Sequence, residues 1–178
     1  MNQLFIFLTI ALIISCKTES TGVATAQRPN IVFILTDDHA YQALSAYDDR
    51  LIETPHIDRL AKEGMLFQRA FVTNSICSPS RAVALTGKFS HLNSVRDNFD
   101  VFDTLQLTFP KLLQKAMYET AIYGKWHLKS EPKGFDYWEV LPGQGHYYHP
   151  EFITPEGEIK EQGYVTDVIT EKAIHYLD

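Results

Sequence analysis

The chain of 178 residues is poor in cysteine: it has two, Cys16 and Cys77, so no disulfide network can staple it and each thiol needs its own explanation. Positive charge is not in surplus either. The 16 Lys and Arg stand against 22 Asp and Glu, a net charge of -6 at pH 7, which leaves no basic patch from which to argue nucleic-acid binding. No apolar run is long enough to span a bilayer; the one over residues 4–14 falls well short of the roughly 20 residues a spanning helix needs. Internal repeats and low-complexity tracts are absent, which excludes solenoids and arrays. With 45% apolar and 21% charged residues, the composition suits a folded globular chain.

What is present is a dense run, Cys77-Ser78-Pro79-Ser80-Arg81, with Thr86-Gly87 behind it. Pro79 suits the first turn of a helix, where its missing N–H is no loss. Ser80 to Leu85 can continue that helix, and Gly87 can end it in the left-handed conformation. Cys77 then lies at a helix N-terminus, which favours negative charge, and Arg81 adds a cation that stays protonated at any working pH. A lone cysteine is usually a small buried hydrophobe. The neighbours of this one argue for oxyanion chemistry instead.

Three other segments carry signal. Residues 31–35, Ile-Val-Phe-Ile-Leu, read as a strand buried on both faces. Asp37 and Asp38 follow it, at the end of a strand where α/β sheets gather their ligands, and two carboxylates are hard ligands for Ca²⁺ or Mg²⁺. Taken alone, the pair is a solvated turn. A second strand runs into Gly124, and its alternation puts Lys125 and His127 on one side with Trp126 on the other; taken alone, these are a surface charge and a core histidine. Thr54 as N-cap and Pro55 at the first helical position open an amphipathic helix ending at Gly64, with His56 structural. A strand over residues 66–72 and helices over 110–117 and 165–177 complete an alternation that predicts an α/β fold with a mostly parallel sheet and right-handed crossovers.

Cys77-x-Pro79-Ser80-Arg81 with Thr86-Gly87, the segment ending in Asp37-Asp38, and Gly124-Lys125-Trp126-His127 together resemble the type I sulfatases of the alkaline phosphatase superfamily. That resemblance implies the alkaline-phosphatase-like sandwich, of which residues 29–178 would be the N-terminal portion. It implies that a maturation enzyme oxidises Cys77 to formylglycine, and that Asp37, Asp38 and the modified Cys77 bind a divalent cation, Ca²⁺ or alternatively Mg²⁺. The hydrated aldehyde attacks the sulfur of a sulfate ester; Arg81 and Lys125 stabilise charge, and His127 serves as base when inorganic sulfate is expelled. Sulfatases are considerably longer than this chain. A further Asp and Asn for the metal, and a second His and Lys for the sulfate, are therefore expected beyond Asp178.

Residues 4–14 have the length of a secretory signal core and lead into Ile13-Ile14-Ser15-Cys16. This resembles the lipobox of bacterial lipoproteins, which implies a signal over residues 1–16, lipid on Cys16 and membrane anchoring of an exported protein, periplasmic or at the cell surface. Ordinary signal cleavage is the alternative. Residues 17–28, rich in Thr, Ser and Ala, read as a flexible tether. With a separate covalent fate for each cysteine, no Cys16–Cys77 disulfide is expected.

The substrate is a less legible matter. Gly143 to Pro150 form a Gly-punctuated loop in which His146, Tyr147 and His149 could meet a sugar, although aromatic loops also pack as satellites of a core. Arg96 and Asn98 are candidates of the same kind. The stretch from Gly134 to Leu177 resembles bacterial carbohydrate sulfatases acting on 6-sulfated N-acetylglucosamine, so a sulfated glycan is the expected partner. Two alternatives stand beside it: a phosphonate or phosphate ester hydrolase of the same superfamily, and an inert glycan-binding lipoprotein.

The lipobox reading is tested by fractionation. Cys16→Ser should move the protein from the membrane to the soluble fraction or leave it unprocessed; identical fractionation and processing of both forms contradicts the reading.

Overall fold

The computed structural model describes residues 28–178. The expected signal, Cys16 and all but the last residue of the expected tether lie outside the described residues. The chain divides into two compact units, one ending at Thr36 and one spanning Asp37–Asp178.

In the first unit, residues 31–35 form no strand, and their side chains are 45% to 75% exposed. This corrects the expectation of a doubly buried strand. A short apolar run becomes a parallel strand only by bonding to neighbours along its edges, and the four described strands pair with one another. Residues 66–72, in the second unit, likewise form no strand, for the same reason.

Among the helices, the local signals hold well. Helix α1, Pro55–Glu63, starts at its proline and stops at Gly64. Thr54 does not cap it through its side chain; Oγ1 accepts from Ser45 N–H at 2.9 Å and donates to Asp58 at 3.0 Å instead. Its apolar face is uncovered, with Leu60 60% exposed. Helix α2, Cys77–Thr86, ends at Gly87 with φ 66° and ψ 13°, the left-handed stop that glycine permits at least cost. The short helix α3 spans Ser90–Asn93. Helix α4, Phe109–Lys115, is shorter at its C-terminal end than residues 110–117 suggested, and α5 spans Val165–Leu177. Among the described residues, no helix is long and apolar enough to cross a membrane.

Four strands form one open sheet in chain order: β1 Ala121–Lys125, β2 Tyr137–Leu141, β3 Glu151–Thr154 and β4 Gly157–Lys160. Only β1 and β2 are parallel, in register from Ala121↔Tyr137 to Lys125↔Leu141; the other two pairings are antiparallel. The connection between the parallel strands, residues 126–136, contains no helix. It is closed at its far end by Asp136, whose N–H donates to Thr120 O at 2.8 Å while its carboxylate accepts from Thr120 N–H at 2.8 Å.

Helices flank this sheet. One core joins Ala82 and Leu85 of α2 to Val95, Phe102, Trp126, Leu128 and the β2 residues Trp138 and Val140. A second core joins Leu141 and Phe152 to Val165 and Val168 of α5. At Gly124 an added Cβ would lie 3.1 Å from Ile169 Cδ1, so the Ile169 side chain of α5 packs closely on β1 there.

Trp126 is central to the first core: it is 6% exposed, meets Phe102 and Phe135 edge-on, and donates its indole N–H to Ser130 O at 2.6 Å. Trp126→Ala should cost about 3–5 kcal/mol, read as a lowered denaturation midpoint. A loss under about 1 kcal/mol would contradict this packing.

Candidate active site

The site begins at the first turn of α2. Ile76 precedes the helix and supplies no side-chain cap. Asn98 substitutes for one, its Oδ1 accepting from Ser78 N–H at 3.0 Å. Ser78, fully buried, donates its hydroxyl to His127 O at 2.5 Å, which ties the helix start to the chain just past β1. Pro79 has no N–H, and Ser80 N–H already reaches Ile76 O at 2.9 Å. The Cys77 N–H is thus the first-turn donor left without a partner among the described residues, beside the Cys77 side chain.

The carboxyl end of β1 supplies the rest. Lys125 donates from Nζ to Asp37 Oδ2 at 2.6 Å, to Gln144 Oε1 at 2.5 Å and to Cys77 Sγ at 3.5 Å. Arg81 donates to Lys125 O at 2.5 Å and to Asp37 Oδ1 at 3.0 Å. Both cations are largely sheltered, their side chains 9% and 12% exposed. Burial alone would push the Asp37 carboxyl up, but hydrogen bonds and charge from Lys125 and Arg81 outweigh it and hold Asp37 below its ordinary value. Asp38 is exposed and takes a φ of 50°, and ligand atoms of Asp37, Asp38 and Cys77 all lie within 4.8 Å of one another.

His127 joins this group by a route other than strand alternation. β1 ends at Lys125, and His127 takes a left-handed φ of 55°. Its Nδ1 and the Nε of Arg81 are buried with no hydrogen-bond partner. Orphaned polar atoms of this kind are the exception in a folded chain, and these two face the same cluster of charges. Desolvation first, then the charges of Lys125 and Arg81, hold the His127 imidazole below 6.5.

A thiol, two carboxylates, two sheltered cations and an imidazole thus converge on one point. Residues 29–178 match the sulfatase family. The chain belongs to that family. It is 54% identical over 155 residues to an N-acetylglucosamine-6-O-sulfatase of Bacteroides thetaiotaomicron, covering 85% of this chain and 28% of that protein. It is 34% identical over 181 residues to an ulvan-active sulfatase of Formosa agariphila, covering 93% and 35%. A solved structure of a protein in complex with its substrate D-glucosamine-2-N,6-O-disulfate superimposes with a TM-score of 0.83 at 54% identity, covering 85% of this chain and 31% of that one. The chain therefore spans about a third or less of the length of these relatives.

Sulfatases generally use a formylglycine and a divalent cation, and the donors here fit both. Asp37 and Asp38 offer the hard oxygens a divalent cation takes, and each carboxylate oxygen of Asp37 keeps lone-pair capacity beyond its one ion pair.

Other expected residues sit elsewhere. Arg96 is committed to Asp100 at 3.1 Å and is 71% exposed, and Asn98 braces α2 through Ser78. His146 and Tyr147 are exposed, and His149 accepts from Gly163 N–H at 3.3 Å; none of the three has a described contact with Cys77. Gln144, two residues before His146, does reach the site, and it was not singled out in the sequence. Its signal was the flanking pair Gly143 and Gly145.

An NMR titration tests the electrostatics. In the full-length protein His127 should titrate below pH 6.5 and be neutral at pH 7, and Lys125→Met should raise its midpoint by removing a repelling charge. Since the lowered value means that the unfolded chain takes up this proton first, stability should fall as pH drops below 6.5. A midpoint above 6.5 in the unaltered protein contradicts the geometry.

Proposed function

We propose that the full-length protein is a sulfuric ester hydrolase that removes sulfate from a sulfated carbohydrate, with 6-O-sulfated N-acetylglucosamine as its substrate class. The observation that carries this reading is the convergence of Asp37, Asp38 and Cys77 within 4.8 Å, with Lys125 and Arg81 bonded into the same cluster. The substrate class rests on the similarity to an N-acetylglucosamine-6-O-sulfatase and to a protein solved with a 6-O-sulfated glucosamine. Export as a lipoprotein belongs to the same reading, with Cys16 as anchor.

In this reading Cys77 is converted to formylglycine, whose hydrate supplies the nucleophilic hydroxyl, and a cation, Ca²⁺ by preference, supplies charge neutralisation at the sulfate oxygens. Asp37 and Asp38 hold that cation. Lys125 and Arg81 aim donors at the charge that develops on the sulfuryl group, in a sheltered setting where such donors count most. His127, neutral near pH 7, accepts a proton at its unpartnered Nδ1. The sugar's recognition falls to the loop of His146, Tyr147 and His149, where Tyr147 is 75% exposed and available for stacking.

The test is sulfate release from N-acetylglucosamine-6-sulfate by the full-length protein. Cys77→Ala should abolish it while leaving the melting temperature within a few degrees. Release that persists in the variant, or phosphate release exceeding sulfate release on matched esters, would contradict the proposal.

A further inference from the structure

The ammonium of Lys125 has three donors, and three acceptors surround it: Asp37 Oδ2, Cys77 Sγ and Gln144 Oε1. Two of these belong to the reacting centre and have other work there. Asp37 also faces Arg81 and is a ligand for the cation, and position 77 is the site of chemistry. Gln144 alone among the three has no second task in the proposed reaction. Its oxygen is neutral, so it holds the ammonium without cancelling the charge that an anionic substrate needs.

The backbone places this oxygen by construction. Lys125 and Leu141 are register partners at the ends of the parallel strands β1 and β2. Three residues after Leu141, the chain has turned back on itself, closed by Gly145 N–H to Pro142 O at 3.0 Å, with Gly143 at φ 56° and Gly145 at φ 75°. A Cβ at Gly145 would lie 2.8 Å from Leu141 Cδ1, so the tight turn requires glycine for space as well as for its positive φ. The turn delivers Gln144 to the end of the neighbouring strand, directly to Lys125.

We propose that Gln144 is a positioning residue for the desulfation reaction: its carboxamide oxygen holds the Lys125 ammonium beside position 77. This deepens the sulfatase reading and rests on it. The assignment predicts different consequences for length and for charge at position 144. Gln144→Ala removes the acceptor and frees the ammonium to swing. Gln144→Glu keeps an acceptor of the same reach, yet brings a negative charge to a site that must admit a sulfate.

The experiment measures kcat and KM for N-acetylglucosamine-6-sulfate with the full-length, matured and metal-loaded enzyme. Gln144→Ala should lower kcat about 10- to 100-fold, the size of one lost hydrogen bond to a charged group, with little change in KM. Gln144→Glu should recover most of that kcat while raising KM about tenfold or more. A merely structural role for the turn would lower both variants together through stability, without the split. If the unaltered enzyme releases sulfate and Gln144→Ala keeps its kcat, the positioning role is wrong; if the unaltered enzyme releases none, the sulfatase reading itself fails.

Discussion

The candidate site depends on the Asp37 carboxylate, which ties together two elements that would otherwise repel. Lys125 at the end of β1 and Arg81 on α2 are both cations, both nearly shielded from water, and Arg81 also bonds to the carbonyl of Lys125. Two sheltered positive charges at this distance are tolerable only with an anion between them. Breaking a buried ion pair costs about 3–5 kcal/mol, and less for this one, since Asp37 is 41% exposed. The same two cations, held in place by the fold, are the donors that the proposed reaction turns toward a singly charged sulfate ester.

The scaffold beneath it is a matter of strand ends. β1 and β2 finish in register, and the chain beyond each reaches the site: His127, past the core residue Trp126, after one, and Gln144, three residues on, after the other. Trp126 drives into the core while His127 takes a left-handed turn, so the packing of one residue fixes the direction of the next. Ser78, donating to His127 O, then locks the start of α2 to that turn. Position 77 and the imidazole are held by one short chain of buried contacts.

Much of this was legible in the sequence because its signals are local. Pro55 and Gly64 marked α1, Pro79 and Gly87 marked α2, and the motifs around Asp37, Cys77 and Lys125 identified residues that the structure does bring together. The two strands expected over residues 31–35 and 66–72 do not form, for a shared reason: a strand exists through its partners, and an apolar run names none. The face shared by Lys125 and His127 was expected from alternation, whereas a positive φ at His127 makes it, and no pattern of residue types announces that. Asn98 was a candidate for sugar recognition on the polarity of its turn alone, and the pattern gave no sign that its oxygen also caps a helix 20 positions away in sequence. Gln144 was passed over since glutamine carries no chemistry of its own; only the register of β1 against β2 gives it meaning.

Peptide mass spectrometry of the full-length protein from its native host tests most directly whether position 77 is a converted cysteine serving as the reacting group of this cluster. The peptide containing residue 77 should carry the mass of an aldehyde and react with a hydrazide probe. An unmodified thiol at position 77 in protein that releases sulfate would contradict the account.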